Sequence, residues 1–254
     1  MFTEERRRRV RAGLLERARA DGRVVGAALT GSAARDAEDR WSDIDLFLGV
    51  DDAVPVAEVL ADWSEFAYGE LGALHHFDLS ADPAVYRAFL LGDLLEVDLG
   101  FAPAAAFGQV GDGAFRVVFG EAVARRPAGA DPAHLVGLAW HHVLHARVAV
   151  ERGAWWQAEH WISGVRDHTL ALACVRLGHP AAHAKGADRL PPDITGPLAE
   201  ALVRRLDAAE LTRALGAATR ALLAELAAGD PGAARVLERP LLALAFGTEF
   251  SAGR

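Results

Sequence analysis

Two aspartates stand one residue apart in "SDIDLFLGV", residues 42–50, a segment that is otherwise typical of a buried strand. Successive side chains of a strand point to opposite faces, so we expect Asp43 and Asp45 to share one face. Neighbouring carboxylates repel each other, whereas Mg²⁺ prefers such oxygen ligands. The pattern therefore predicts a magnesium site. It leaves open an alternative, in which both aspartates are solvated on an edge strand.

A Gly-Ser pair lies about ten residues upstream, in "LTGSAAR", after the apolar stretch "RVVGAAL". Gly31 would permit a tight turn and a close backbone approach, and Ser32 would begin a helix. Backbone N–H groups at a helix N-terminus suit a phosphate. The alternative is an ordinary turn with a helix cap. A phosphate cradle next to paired carboxylates favours phosphoryl-transfer chemistry.

A third acidic position lies in "LLEVDLGF", residues 94–101, where Glu96 and Asp98 would share one face of another strand. If that strand lies beside the first, a carboxylate from it would join Asp43 and Asp45. It could then share a second metal ion and accept the proton of an attacking hydroxyl. Either acid on its own is also compatible with a surface position.

The segments predict an α+β chain with two domains. A mixed sheet with helices, including a helix over "DPAVYRAFLLG", would form a catalytic domain at residues 1–126. Pro127, Gly129 and Pro132 in "RRPAGADP" indicate a linker. From there the pattern is helical, and a bundle of four or five helices would form a substrate domain at residues 131–254.

Charge and composition restrict the partners. A net charge of −8 argues against a general nucleic-acid binder. The basic run at residues 6–9 lies on a predicted helix with Glu4, Glu5 and Glu16, so we expect a solvated helix face rather than a nucleic-acid patch. Cys174 is the single cysteine, which excludes an intrachain disulfide. No apolar run approaches the roughly 18 residues of a membrane span, and we expect a cytoplasmic chain without membrane association.

The Gly-Ser pair, the Asp-apolar-Asp strand and the distant acidic strand together resemble the nucleotidyltransferase superfamily, which includes DNA polymerase beta. An acidic mixed domain followed by a helical domain is similar to the antibiotic adenylyltransferases that act on aminoglycosides and lincosamides. The motifs that carry the resemblance lie between about residues 22 and 120.

The resemblance implies a role for each matching residue. Gly31 and Ser32 would bind a nucleoside triphosphate, and Asp43 and Asp45 would bind metal. Asp98 would be the third carboxylate, serving as metal ligand and catalytic residue, with Glu96 as the alternative, acting as the base. One departure is Asp36, because relatives often carry a glycine after the position of Arg35.

The implied reaction transfers a nucleoside monophosphate, AMP from ATP, to a hydroxyl of a small molecule, with an antibiotic as a candidate acceptor. It would use two Mg²⁺ ions and release pyrophosphate. Two alternatives stay open, namely a non-catalytic nucleotide-binding sensor or partner module and transfer to a protein hydroxyl. The sequence does not indicate an oligomeric state.

The helical half offers further candidates. In "AWWQAEHWISGVRD", Trp156 and Glu159 would bind the acceptor and Arg166 a phosphate, whereas an internal ion pair of Glu159 with Arg166 is the alternative. Lys185, the single lysine, would neutralise triphosphate charge, although it could simply be exposed.

The same half contains two histidines with the i, i+4 spacing of a helical zinc pair, His141 and His145. The glutamate and the third ligand of a metalloprotease are missing. We therefore expect these histidines to take part in polar packing or to line a pocket.

Overall fold

The computed structural model describes residues 1–109, 113–124 and 129–247, and the chain divides into two compact units, Met1–Gly129 and Ala130–Arg254. The predicted domain boundary at Arg126 and the predicted linker residue Pro127 lie outside the described residues.

The first unit is a six-stranded mixed sheet with two helices. Its elements are α1 (Glu4–Ala20), β1 (Val24–Leu29), β2 (Ile44–Val50), α2 (Val56–Phe66), β3 (Ala73–Ala81), β4 (Ala84–Leu91), β5 (Glu96–Pro103) and β6 (Arg116–Phe119). The strand order is β3-β4-β5-β2-β1-β6. Strands β2 and β5 run parallel, and every other neighbouring pair is antiparallel.

The side chains of β2 point alternately to the two faces of the sheet and join a separate apolar cluster on each face. Ile44, Leu46 and Leu48 are fully buried in a core that also contains Leu14 of α1 and Trp63 of α2. The intervening residues face the other side, where a smaller aromatic cluster forms around Phe47, Phe107 and Phe115. Asp45 belongs to this second face. The acids therefore lie on the side of the sheet away from the two helices.

The helix predicted over "DPAVYRAFLLG" is wrong, because residues 84–91 form strand β4. This strand pairs along its whole length with β3 on one side and β5 on the other, and that pairing satisfies its backbone. Short apolar runs fit a strand or a helix equally well, and Val85, Tyr86 and Phe89 favour a strand. Strand β6, a short strand that pairs with β1, was not predicted from the sequence either.

The second unit is helical, and residues 129–247 contain no strand. Its helices are α3 (Pro132–Glu151), α4 (Trp155–Arg176), α5 (Pro192–Glu200), α6 (Ala208–Gly229) and α7 (Pro231–Phe246). Alanines are frequent in its buried core, as at Ala139, Ala158 and Ala218, and such small side chains let the helices approach closely. The predicted α+β class is confirmed. No helix in the described part of the chain has the length and apolar character needed to cross a membrane.

Candidate active site

Three carboxylates meet at one end of the parallel strand pair. The register places Asp45 of β2 directly beside Asp98 of β5, and Asp43 immediately precedes β2. One carboxylate oxygen from each of the three residues lies within 4.8 Å of the other two, and all three residues are half-buried. In the part of the chain that the structure describes, this is the one group of three or more potential metal-ligating side chains that is so compact.

The carboxyl of Asp98 lies in an electrostatically unfavourable position. Burial raises the pKa of its carboxyl to about 6, and the neighbouring charges of Glu96 and Asp43 act in the same direction. Its Oδ1 atom is buried and has no hydrogen-bond partner among the described residues. A buried, unpaired carboxylate oxygen is costly unless a cation satisfies it. The donor set, three carboxylates with one orphaned oxygen, therefore fits a hard divalent cation.

Glu96 occupies a different position from Asp98. It is exposed at the start of β5, and it is not part of the compact trio. Its carboxylate is close enough to influence the pKa of Asp98. Of the two acids between which the sequence leaves the choice open, the geometry favours Asp98 as the third carboxylate.

Gly31 lies against Asp45 in a conformation that favours glycine. Its φ is +57°, in the left-handed region. A Cβ at this position would lie 1.8 Å from Oδ2 of Asp45, so any side chain would displace the carboxylate. The backbone N–H of Thr30 also donates to the carbonyl of Asp45 at 3.1 Å. The Gly-Ser turn is thus packed directly on the acidic site.

Ser32 does not begin the helix that the sequence predicts. It precedes a single 3₁₀ turn, Ala33–Arg35, and its side chain does not cap that turn. The predicted helix is therefore wrong, and a turn of three residues has no appreciable macrodipole. The binding of phosphate by this turn stays a prediction. Backbone N–H groups and the Ser32 hydroxyl are the phosphate donors that this turn can offer.

The unusual Asp36 ends that turn. Its φ is +53°, a left-handed conformation in which glycine is most at ease and Asp is tolerated. Both oxygens of its carboxylate accept hydrogen bonds from Arg116 of β6, at 2.7 and 2.8 Å, and Arg116 also donates to the carbonyl of Ala33 at 2.6 Å. Arg116 therefore braces the turn at the position where relatives often have glycine.

Sequence reasoning missed Tyr86, which lies on β4 opposite Gly100 of β5. Burial raises the pKa of its hydroxyl to about 12, and the nearby negative charge of Asp45 adds to the shift. Its ring packs against Phe47 at a centroid distance of 5.5 Å. The misassignment of β4 as a helix hid this residue, since only a strand brings it to the face that carries the acids.

The remaining predicted site residues belong to the second unit. Trp156 of α4 is 77% exposed, and Lys185 is exposed on a loop. The hydroxyl of Ser163 links Glu159 and Arg166. It donates a hydrogen bond to Glu159 at 2.6 Å and accepts one from Arg166 at 3.1 Å. Glu159 and Arg166 thus belong to one hydrogen-bonded network on α4. Their roles in acceptor and nucleotide binding stay predictions.

The histidines of α3 pack among aromatic rings. The rings of His141 and His145 are 4.2 Å apart, and His145 also contacts Trp161. Burial lowers the pKa of His142 to about 4, and the neighbouring histidines add to the shift. Among the described side chains no third ligand completes a metal site here. This arrangement agrees with the expected polar packing.

The second unit also contains a cavity of about 600 Å³. The apolar side chains of Val136 and Leu172 line it together with the ion pair of Arg176 and Glu225, and neither Glu159 nor Trp156 lines it. The two predicted acceptor residues therefore do not belong to this cavity.

The sheet, the Gly-Ser turn and the carboxylate trio all belong to the first unit. Residues 8–87 match the family model described as "Nucleotidyltransferase domain". The match includes Gly31, Ser32, Asp43 and Asp45, and Asp98 lies beyond its end. The resemblance to nucleotidyltransferases inferred from sequence is thereby confirmed, and nucleotidyl transfer is the class of activity that this domain supports.

No curated protein matches the chain significantly. Among solved structures, an aminoglycoside 6-adenyltransferase from Bacillus subtilis is similar over 91% of this chain and 95% of that chain, with 12% sequence identity and a TM-score of 0.36. A likeness at this level carries no information about the acceptor of this chain.

Proposed function

We propose that this chain transfers AMP from ATP to a hydroxyl group of a small molecule and releases pyrophosphate, with Mg²⁺ as the required cation. The observation that carries the proposal is the convergence of Asp43, Asp45 and Asp98, with an unpaired buried oxygen on Asp98. The match of residues 8–87 to nucleotidyltransferase domains supports the reaction class. An antibiotic with free hydroxyl groups is the first acceptor class to test.

Different residues are proposed to carry out different parts of the reaction. The acceptor oxygen bonds to the α-phosphorus, the bond from that phosphorus to the α–β bridging oxygen breaks, and pyrophosphate leaves. Asp98 is the proposed acceptor of the hydroxyl proton, and Ser32 with the backbone of the Gly31 turn is proposed to hold the triphosphate. A divalent cation bound by the three aspartates would neutralise phosphate charge and lower the pKa of the hydroxyl.

In this mechanism the protein forms no covalent intermediate. Catalysis comes from positioning and from charge neutralisation, and it therefore depends on the place of each carboxylate. This dependence separates the proposal from a nucleotide-binding sensor, which needs affinity for nucleotide but no acceptor and no released pyrophosphate.

The test measures pyrophosphate release from ATP and Mg²⁺ in the presence of a panel of aminoglycosides and lincosamides. We expect release that depends on one acceptor class, and a loss of more than about a hundredfold in Asp45→Asn and Asp98→Asn. Asp52→Asn is the control, since Asp52 is an exposed acid outside the trio, and it should retain full activity.

Three outcomes would contradict the proposal. Release of pyrophosphate at equal rates by the wild type and both variants would remove the carboxylates from the reaction. Nucleotide binding without pyrophosphate release, for any of the four common nucleoside triphosphates and any acceptor in the panel, would favour a sensor. AMP found on the chain itself would indicate a protein hydroxyl as the acceptor.

A further inference from the structure

A buried arginine outside the acidic site holds the segment that leads into Asp43. Arg7 of α1 is 4% exposed, and it lies on the same helix stripe as the core residues Val10 and Leu14. A guanidinium in such a position needs hydrogen-bond acceptors to offset its desolvation. Its partners all belong to one segment, residues 38–42.

The contacts of Arg7 are mainly with backbone carbonyls. Its Nη1 donates a short hydrogen bond to the carbonyl of Asp39 and a second one, of 3.0 Å, to the carbonyl of Ser42. Its Nε forms an ion pair with the carboxylate of Glu38 at 3.3 Å, without hydrogen-bond geometry. The same carboxylate accepts a hydrogen bond of 2.6 Å from Arg11. The carbonyl of Ser42 belongs to the peptide group that joins Ser42 to Asp43. Arg7 is therefore bonded one peptide unit away from a proposed metal ligand.

The segment is also closed on itself. The carboxylate of Asp39 accepts hydrogen bonds from the backbone N–H of Trp41 at 2.8 Å and from the hydroxyl of Ser42 at 3.1 Å. The backbone N–H of Asp39 donates to that hydroxyl at 2.9 Å. The segment is thus a closed loop, and Arg7 fixes this loop to α1. Asp43 begins where the loop ends, and its orientation depends on how the loop is held.

We propose that Arg7 is a positioning residue, which sets the carboxylate of Asp43 for binding a divalent cation by holding the carbonyls of Asp39 and Ser42. The inference rests on the proposed function, in which Asp43 is a metal ligand. It assigns to Arg7 a role at the site without contact to metal, nucleotide or acceptor. Groups that orient metal ligands typically change metal affinity by about 10- to 100-fold when they are replaced.

The test measures Mn²⁺ binding to the full, nucleotide-free chain by electron paramagnetic resonance, together with the melting temperature in EDTA. Mn²⁺ serves as the probe because it takes the same oxygen ligands as Mg²⁺. We expect Arg7→Met, which keeps the aliphatic stem and removes every donor, to weaken Mn²⁺ binding by about tenfold or more. If that variant does not fold, the same measurement is made on Arg7→Lys, and the same weakening is expected. Lysine keeps the charge and lacks the planar guanidinium that contacts both Glu38 and the carbonyls.

The matched control is Arg11→Met. Arg11 lies one helical turn further along α1 and contacts the same Glu38, but its bond is to a side chain rather than to the carbonyls next to Asp43. We expect its Mn²⁺ affinity to stay within about twofold of the wild type, even where the melting temperature falls.

The outcomes distinguish this inference from the proposed function. A wild-type chain that binds no Mn²⁺ would overturn the proposed metal site and the role of Arg7 with it. A wild-type chain that binds Mn²⁺, with an Arg7 variant that has a lower melting temperature and an unchanged affinity, would leave the proposed function intact. Arg7 would then be a purely structural residue.

Discussion

At the scale of single residues, the place of the Asp45 carboxylate depends on the missing side chain of Gly31. The turn has a left-handed backbone at Gly31, and the missing side chain leaves the space that the Asp45 carboxylate fills. Gly31 therefore permits both the backbone conformation of the turn and the position of the Asp45 carboxylate. A substitution here changes the site directly, in addition to its effect on the backbone.

We predict that Gly31→Ala destabilises the fold by about 1–2 kcal/mol through backbone strain alone. Its Cβ would also push the Asp45 carboxylate aside, and a displacement of about 1 Å at a reacting centre can cost about 10²-fold in rate. Urea unfolding and the pyrophosphate assay measure the two effects.

The control for this change is Gly13→Ala. Gly13 lies inside α1, and outside its own helix no heavy atom lies within 4 Å of the place that a methyl group would take. Alanine should stabilise the helix there by about 0.4–1 kcal/mol without loss of activity. Full activity in Gly31→Ala would show that Asp45 does not need the position seen here.

At the scale of elements, Asp21 joins three parts of the first unit. It follows the end of α1, its carboxylate accepts two hydrogen bonds of 2.9 Å from the side chain of Arg23, and it accepts a third of 3.1 Å from Trp63 of α2. The bonds from Arg23 are the main cause that lowers the pKa of Asp21 to about 2, and the bond from Trp63 adds to the shift. The ionised carboxylate is thus the form that the fold favours.

A depressed pKa sets the sign of the pH dependence. The unfolded chain takes up the proton near pH 4 and the folded chain near pH 2, so Asp21 stabilises the fold fully above pH 4. We predict that Asp21→Asn is less stable than the wild type at pH 7 and that the difference shrinks as the pH falls from about 4 to about 2. Urea unfolding across this range measures it. A constant difference would mean that the ionisation of Asp21 does not contribute.

The elements also show how far the fold could be predicted from the sequence. Alternation in "SDIDLFL" was enough to place Asp45 on one face of a strand, because period-two patterning is a local property. It could not show that β5, about fifty residues later, lies beside β2, since register depends on the whole sheet. The same limit explains the error at β4, whose apolar run fits either a helix or a strand until its neighbours are known.

Arg7 shows a second limit of prediction from the sequence. The expectation that the basic run at residues 6–9 forms a solvated face is wrong for Arg7, which shares the i, i+3, i+7 stripe of Val10 and Leu14 and is buried with them. That spacing was a signal in the sequence. The carbonyls that Arg7 holds lie more than thirty residues away, and only the folded chain brings them to it.

At the scale of the whole molecule, the residues proposed to carry out the reaction lie in the first unit. The acidic trio, the Gly-Ser turn and the two arginines that brace the segments beside them, Arg7 and Arg116, all lie within Met1–Gly129. The second unit has its own apolar core and an internal network around Ser163. Its share in recognising the acceptor stays a prediction, so the central claim is tested best by a measurement on the reaction itself.

That measurement follows the label from two preparations of ATP, one with ³²P at the α-position and one with ³²P at the γ-position. Each is incubated with the full chain, Mg²⁺ and the acceptor panel. We predict that the α-label enters the acceptor and the γ-label appears only in pyrophosphate, and that Asp45→Asn abolishes both. Transfer of the γ-label to an acceptor, or absence of α-label from every acceptor and from the chain itself, would contradict nucleotidyl transfer by this protein.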